Sequence, residues 1–458
     1  MTENQLPEDI IVSDILVKLP IKSLIRCTCV SKRWRFIISD PQFAKSHFQL
    51  ARRHHTLTRR LLLYCSPSQV ESLDLETTPS PSSPIRNLTC KLNNQPESIK
   101  LLGSCNGLVC VCTDPTLSSC DLFIWNPSTG FFRNLPYPCF SSATHTVLYG
   151  GFGYLSATDD YKVVVAAADN VFEYGDNVVE VKVLSWRTGV WRKIEVHPLL
   201  CYTLYPAAVV VGETLHWFRN DRWLGSAIIG FDLDKEEFRE MPPPPPGFWQ
   251  RYDRDYVGCV GCWGGRLHVF RYTARVCDVM ELWVRGENGD GESWTEVFKL
   301  KITDEPRKAV FLRPFLAVGS SAVVAKVTRN STMEMVRIEP RDEEPIVDMF
   351  KRGVEPAMIL YEESLHRLPG CGAVEEEKVE EIQTPIFGAL FWITDHWYSI
   401  LALIMFMLSI FHGIGEMSIL NVVTWNLGGS WNSRDVTNMN SYTKSPSISV
   451  DYKRNITM

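Results

Sequence analysis

Five segments of this chain recur at near-constant distance, and each joins a turn to an apolar strand. They read NGLVCV at 106–111, DYKVVV at 160–165, GETLHW at 212–217, GGRLHV at 264–269 and GSSAVV at 319–324. Val109, Val163, Leu215, Leu267 and Ala322 hold equivalent places, separated by 54, 52, 52 and 55 residues. Such regular spacing marks a structural repeat. A second half-motif falls between them: LFIWNPSTGFFRNLP, VKVLSWRTGVWRKI, IIGFDLDKEEFREMP and ELWVRGENGDGESWTEVFKL. Each reads strand, polar turn, strand, and the turn chemistry suits hairpins. An aromatic follows each turn: Phe132, Trp191, Phe238 and Trp294. A unit therefore offers about four strands in roughly 50 residues. One small sheet cannot bury both its faces, whereas units stacked radially share a core and leave few open edges.

The expected fold class is α+β: a small N-terminal helical module, then a mainly antiparallel β repeat domain built as a β-propeller. Residues 61–64 and 71–75 offer a sixth, partial blade, and 357–361 a closing strand. The same alternation also allows an irregular β-sandwich.

The helical module is read from residues 6–43, LPEDIIVSDILVKLPIKSLIRCTCVSKRWRFIISDPQF. Pro7 stands where a helix start tolerates its missing N–H, and Glu8 and Asp9 sit on the positive end of the helix dipole. Ile11, Ile15, Leu16 and Leu19 recur at helical spacing until Pro20 breaks the run. Ile21, Leu24, Ile25, Val30, Trp34, Ile37 and Ile38 continue the apolar series. Helices this small expose more apolar surface than they bury against one another, so the module needs a partner.

Leu6-Pro7-Glu8-Asp9, Ile15-Leu16, Leu19-Pro20, Leu24, Val30-Ser31-Lys32 and Trp34 together resemble the F-box. The spacing from Leu6-Pro7 to Leu19-Pro20 is one residue longer than is usual there, and one residue rotates a helix by roughly 100°. SCNGLVC, IWNPSTG, DYKVVV, VLSWRTGVW and GETLHWF resemble the F-box-associated interaction domain of plant F-box proteins. Gly264-Gly265 with the later Trp294 resembles the kelch repeat. The resemblance implies binding to a Skp-type adaptor and, through it, to cullin and RING subunits. It places Leu6, Pro7, Ile15, Leu16, Leu19, Pro20, Leu24, Val30 and Trp34 in the adaptor-binding module.

The expected organisation is an F-box at 1–50, a linker and partial blade at 51–97, the kelch-like domain at 98–368, and an acidic linker at 369–385. A hydrophobic segment at 386–415, a candidate membrane helix, and a tail at 416–458 expected to be disordered follow. Residues 397–411 form an uncharged, mostly apolar run, shorter than the roughly 18 residues a membrane helix needs. Extension back to Ile386 supplies the length but takes in Asp395 and His396, and a charge at depth costs about 2.5–3.5 kcal/mol. A membrane anchor and a buried helix both stay open here.

The net charge of −6 gives no reason to expect a nucleic-acid partner. No secretory signal opens the chain, so the 14 cysteines read as reduced thiols. Cys105, Cys110 and Cys112 lack zinc-site spacing and read as small hydrophobes in strands. His216 and His268 occupy equivalent repeat positions inside strands, which favours a structural role. No nucleophile elbow, phosphate loop or HExxH motif is present, so neither a catalytic group, a cofactor nor a metal is expected.

The expected function is that of a substrate-recognition subunit of a Skp–cullin–F-box ubiquitin ligase, cytoplasmic or nuclear, with membrane anchoring through 386–415 as the alternative location. The loop rim of the β domain would hold a protein substrate. Candidate loops are 112–121, 169–177, 219–224, 246–256 and 271–278. Phe248, Trp249, Arg251 and Tyr252 have the composition of an interface hot spot. The alternatives are a membrane-tethered or non-degradative scaffold, and an enzyme built on a propeller.

Overall fold

A computed structural model describes residues 11–368 except 67–68, 76–84, 89–98, 114–120, 142–145, 169–178, 196–206, 222–224, 245–255, 274–278, 287–292, 302–310, 319–321, 330–331, 339–345 and 353–355. The expectations for Leu6, Pro7, Phe248, Trp249, Arg251, Tyr252, the acidic linker, the 386–415 segment and the tail lie outside the described residues. Among the described residues, no helix is long and apolar enough to cross a membrane.

The described residues start with two short helical turns, Ile11–Ile15 and Leu16–Lys18. The first is a π turn, whose i→i+5 bonds enclose one residue more than an α turn. Leu16, just beyond it, is fully buried. Helix α1 (Ile21–Cys27) begins directly after Pro20, which has no N–H to satisfy. Helix α2 (Lys32–Ser39) is capped by Ser31, whose side chain accepts from Trp34 N at 3.0 Å. Helix α3 (Pro41–Arg53) has Asp40 as its cap, accepting from Gln42 N at 2.6 Å and Phe43 N at 3.3 Å, with proline in its first turn.

Six four-stranded antiparallel sheets follow. Strands β1 (Arg59–Ser66), β2 (Gln69–Asp74) and β3 (Arg86–Leu88) open the first blade. The second blade is β4 (Ile99–Cys105), β5 (Leu108–Thr113), β6 (Leu122–Trp125) and β7 (Phe132–Asn134). The third is β8 (Thr146–Leu155), β9 (Asp160–Ala168), β10 (Val179–Ser185) and β11 (Val190–Ile194). The fourth is β12 (Val209–Val211), β13 (Thr214–Asp221), β14 (Gly225–Asp232) and β15 (Glu237–Met241). The fifth is β16 (Tyr256–Trp263), β17 (Arg266–Thr273), β18 (Val279–Arg285) and β19 (Trp294–Lys301). The sixth is β20 (Phe311–Val318), β21 (Ala322–Arg329), β22 (Thr332–Ile338) and β23 (Ile346–Arg352).

The last strand, β24 (Ala357–Glu362), pairs with β1 from Arg59↔Glu362 to Tyr64↔Ala357. The blade read as partial from sequence is thus a full four-stranded sheet, completed by the chain's far end. Leu61, Leu63, Leu73 and Leu75 of that blade pack on Met333 and Met335 of the sixth, and the ring closes. The fold is a β-propeller, not a sandwich, because the six sheets follow one another around a closed ring.

The repeated motifs have physical explanations. Each turn-plus-strand segment supplies the second strand of a blade, and each half-motif supplies the third and fourth. The aromatic after the half-motif turn covers the blade core: Phe132 lies 4.6 Å from Phe123, and Phe238 lies 4.7 Å from Phe231. Where that aromatic is tryptophan it also ties blades together. Trp191 Nε1 donates to Pro136 O at 2.8 Å, and Trp294 Nε1 to Pro242 O at 3.2 Å, equivalent carbonyls of the preceding blades. Gly151 gives the close approach that such packing needs, since a Cβ there would lie 2.6 Å from Leu215 Cδ1. Trp125, Trp186 and Trp217 are buried, and Cys110 and Cys112 are fully buried within β5.

Candidate functional site

The F-box-like helices build one core. Leu16, Ile21, Leu24, Ile38, Phe43 and Ala44 are buried together. Leu16 and Leu24 of the adaptor-binding module are fully buried and form part of its internal core. Ile15, Leu19 and Trp34 are half-buried, and Leu19 and Trp34 pack on that core from its edge. Pro20 is exposed, and Val30 is 46% exposed.

The largest outward apolar group was not singled out from sequence. Phe36 is 67% exposed, the most exposed of the large hydrophobic side chains described. The signal was available: Trp34 and Ile38 sit four apart on the inward face of α2, so Phe36 between them points away. The Leu19-Pro20 turn is held by His47 of α3, whose Nε2–H donates to Leu19 O at 2.8 Å. Burial depresses the pKa of this imidazole, so it stays neutral near pH 7.

The opposite end of the propeller is defined by strand direction. Lys45 Nζ of α3 lies 3.2 Å from Asp159 Oδ1, in the turn from β8 to β9. Gly107, in the turn from β4 to β5, lies against Glu362 and Ser364. Turns joining first to second strands thus face the helices, and antiparallel alternation puts the third-to-fourth turns on the same side. Thr113, Ala168, Asp221 and Thr273, the ends of β5, β9, β13 and β17, point to the far side. The candidate loops 112–121, 169–177, 219–224 and 271–278 all start from those ends. Segment 246–256 leads into β16 on the same side.

A central channel of about 1360 Å³ runs between the inner strands toward α3. Its lining includes Arg52, Arg59, Cys105, Cys262 and Glu362. Burial raises the Glu362 pKa, against the opposing influence of Arg52 and Arg59. Burial also pushes the Cys105 thiol up to about 12 and raises that of Cys262. A thiol acts as a nucleophile when its pKa is lowered, so these are inert small side chains at pH 7. Among the described residues, no three His, Cys, Asp or Glu side chains gather closely enough to hold a metal ion. His216 and His268 lie buried inside β13 and β17.

Residues 4–50 match the model of the F-box-like family, and residues 61–366, more than half of the chain, match that of the F-box associated beta propeller domain. F-box protein CPR1 of Arabidopsis thaliana is 30% identical over 333 residues, covering 68% of this chain and 76% of that protein. An F-box/kelch-repeat protein of the same plant is 27% identical, covering 66% of this chain and 80% of its own length. Among solved structures, TolB from Acinetobacter baumannii is similar at 8% identity with a TM-score of 0.40, covering 70% of this chain and 72% of that one.

Proposed function

Since this chain belongs to the F-box proteins that carry an F-box-associated β-propeller domain, we propose that it is the substrate receptor of a Skp–cullin–F-box ubiquitin ligase. The carrying observation is the placement of two surfaces at opposite ends of one structural unit. Val30 and Phe36 project from the helices at one end. The ends of β5, β9, β13 and β17 lie at the other.

In this reading the Skp-type adaptor buries Val30, Phe36, Pro20 and the exposed edges of Ile15, Leu19 and Trp34, with Leu6 and Pro7 extending the contact. Cullin and RING subunits are reached through that adaptor. The far end holds a protein substrate, and Phe248, Trp249, Arg251 and Tyr252 are the proposed anchors. The receptor works by raising the local concentration of substrate lysines near a ubiquitin-charged enzyme. It contributes no catalytic group of its own.

Co-expression with a Skp-type adaptor and affinity capture tests this. Wild type should hold the adaptor, and Val30→Asp with Phe36→Asp should reduce capture at least about tenfold, since a buried interface charge is costly. Both positions are on the surface, so the fold is retained. Capture that is absent in wild type, or equal in the double variant, contradicts the assignment. Once a substrate is in hand, Trp249→Ala with Arg251→Ala should abolish its binding and leave adaptor capture intact.

A further inference from the structure

We infer that the helical module is not self-sufficient: the strap after the last propeller strand, residues 363–368, completes its core and couples it to ring closure. Leu365 is a member of the same buried cluster as Leu16, Leu24, Ile38 and Phe43. It is 7% exposed and reaches that cluster from more than 300 residues away in sequence. The next residue extends the contact, since His366 meets Phe48 of α3 edge to face at 4.9 Å.

The rest of the strap is locked into the propeller. Asn126, fully buried, donates through Nδ2 to the carbonyls of Ser364 at 3.0 Å and His366 at 2.9 Å. Its Oδ1 accepts from Ser128 N at 2.8 Å, so one amide fixes both its own turn and the strap. Ser364 Oγ donates to Asn106 O at 2.7 Å. Glu363 pairs with Arg86 at 2.9 Å, and its N–H donates to Thr58 O at 2.9 Å. Leu368 is buried in the core shared by the second and third blades. Successive residues thus enter the first blade, the second blade, the helices and again the second blade. The strap cannot leave one partner without disturbing the others.

Two consequences follow from linkage. Opening of β24 withdraws Leu365 and loosens α1 to α3. Anything that binds the assembled helices protects β24 by the same factor. Only the second consequence rests on the adaptor reading given above.

Hydrogen exchange on the full free chain tests the first. In Leu365→Ala, amides of α1 and α3 should lose at least about tenfold protection, the equivalent of about 1.4 kcal/mol. Amides of β17 and β18, on the far side of the ring, should stay within about twofold of wild type. Asn126→Ala, which alters no atom of the helices, should loosen α1 and α3 in the same direction. Unchanged α1 and α3 in both variants overturns the inference. If Leu365→Ala unfolds the whole chain, the milder Leu365→Val decides: selective loss in the helices supports the inference, and equal loss in helices and β18 overturns it. Because no adaptor is present, failure here is separate from failure of adaptor capture.

Discussion

At the residue scale, two glycines with the same backbone conformation carry different burdens. Gly107 has φ +78° and Gly130 φ +75°. A Cβ at Gly107 would lie 2.5 Å from Glu362 O, whereas one at Gly130 would meet nothing within 4 Å. Gly130→Ala should cost only the left-handed backbone penalty, about 1–2 kcal/mol. Gly107→Ala must also displace the strap, and urea denaturation should show it at least about 2 kcal/mol worse than Gly130→Ala. The same scale governs the response to acid. Burial lowers the pKa of His216 to about 4 and that of His268 to about 3. The unfolded chain takes up protons below about pH 6.5 while these imidazoles cannot, so their contribution is complete above pH 6.5 and is lost as pH falls. Each group should steepen the loss by up to about 1.4 kcal/mol per pH unit between pH 6 and 4. His268→Phe, which keeps a ring beside Phe270, should flatten the fall of Tm with pH; an unchanged slope contradicts this account.

At the element scale, neighbouring blades are joined by buried charge as well as by apolar packing. Lys162 of β9 donates to Glu236 at 2.8 Å and to Leu233 O at 2.6 Å, crossing from the third blade to the fourth. Both side chains are under 10% exposed. Arg192 also reaches Glu236, at 2.5 Å, but is 60% exposed. Removing Lys162 leaves a buried carboxylate short of its inner partner, so Lys162→Met should cost about 3 kcal/mol. Arg192→Ala should cost under about 1 kcal/mol. Chemical denaturation of both variants checks the ordering. None of this was legible in the sequence, because Lys162 and Glu236 lie 74 residues apart and belong to no shared pattern. The blades themselves were legible, because each repeat carries its own turn and its own apolar strand. The strand that takes first place in the first blade, β24, is legible in residues 357–361 only as a closing element. Its register with β1 emerged from the structure.

At the scale of the whole molecule, the helical module was legible as a motif and not as a surface. Matching a pattern names Leu16, Leu24, Val30 and Trp34 alike, yet the first two are core and Val30 is outside. Phe36 escaped attention because it lies between pattern positions, and Leu365 because no local periodicity links it to helices more than 300 residues earlier. The structure sorts these groups by burial, and burial depends on the assembled fold. The two-ended arrangement is the central claim, and hydrogen exchange of the full chain with and without a Skp-type adaptor tests it most directly. Added protection should appear in peptides containing Val30 and Phe36. The strand ends at Thr113, Ala168, Asp221 and Thr273 should exchange as in the free chain. Protection at those far-side ends, or none around Val30 and Phe36, would contradict the account.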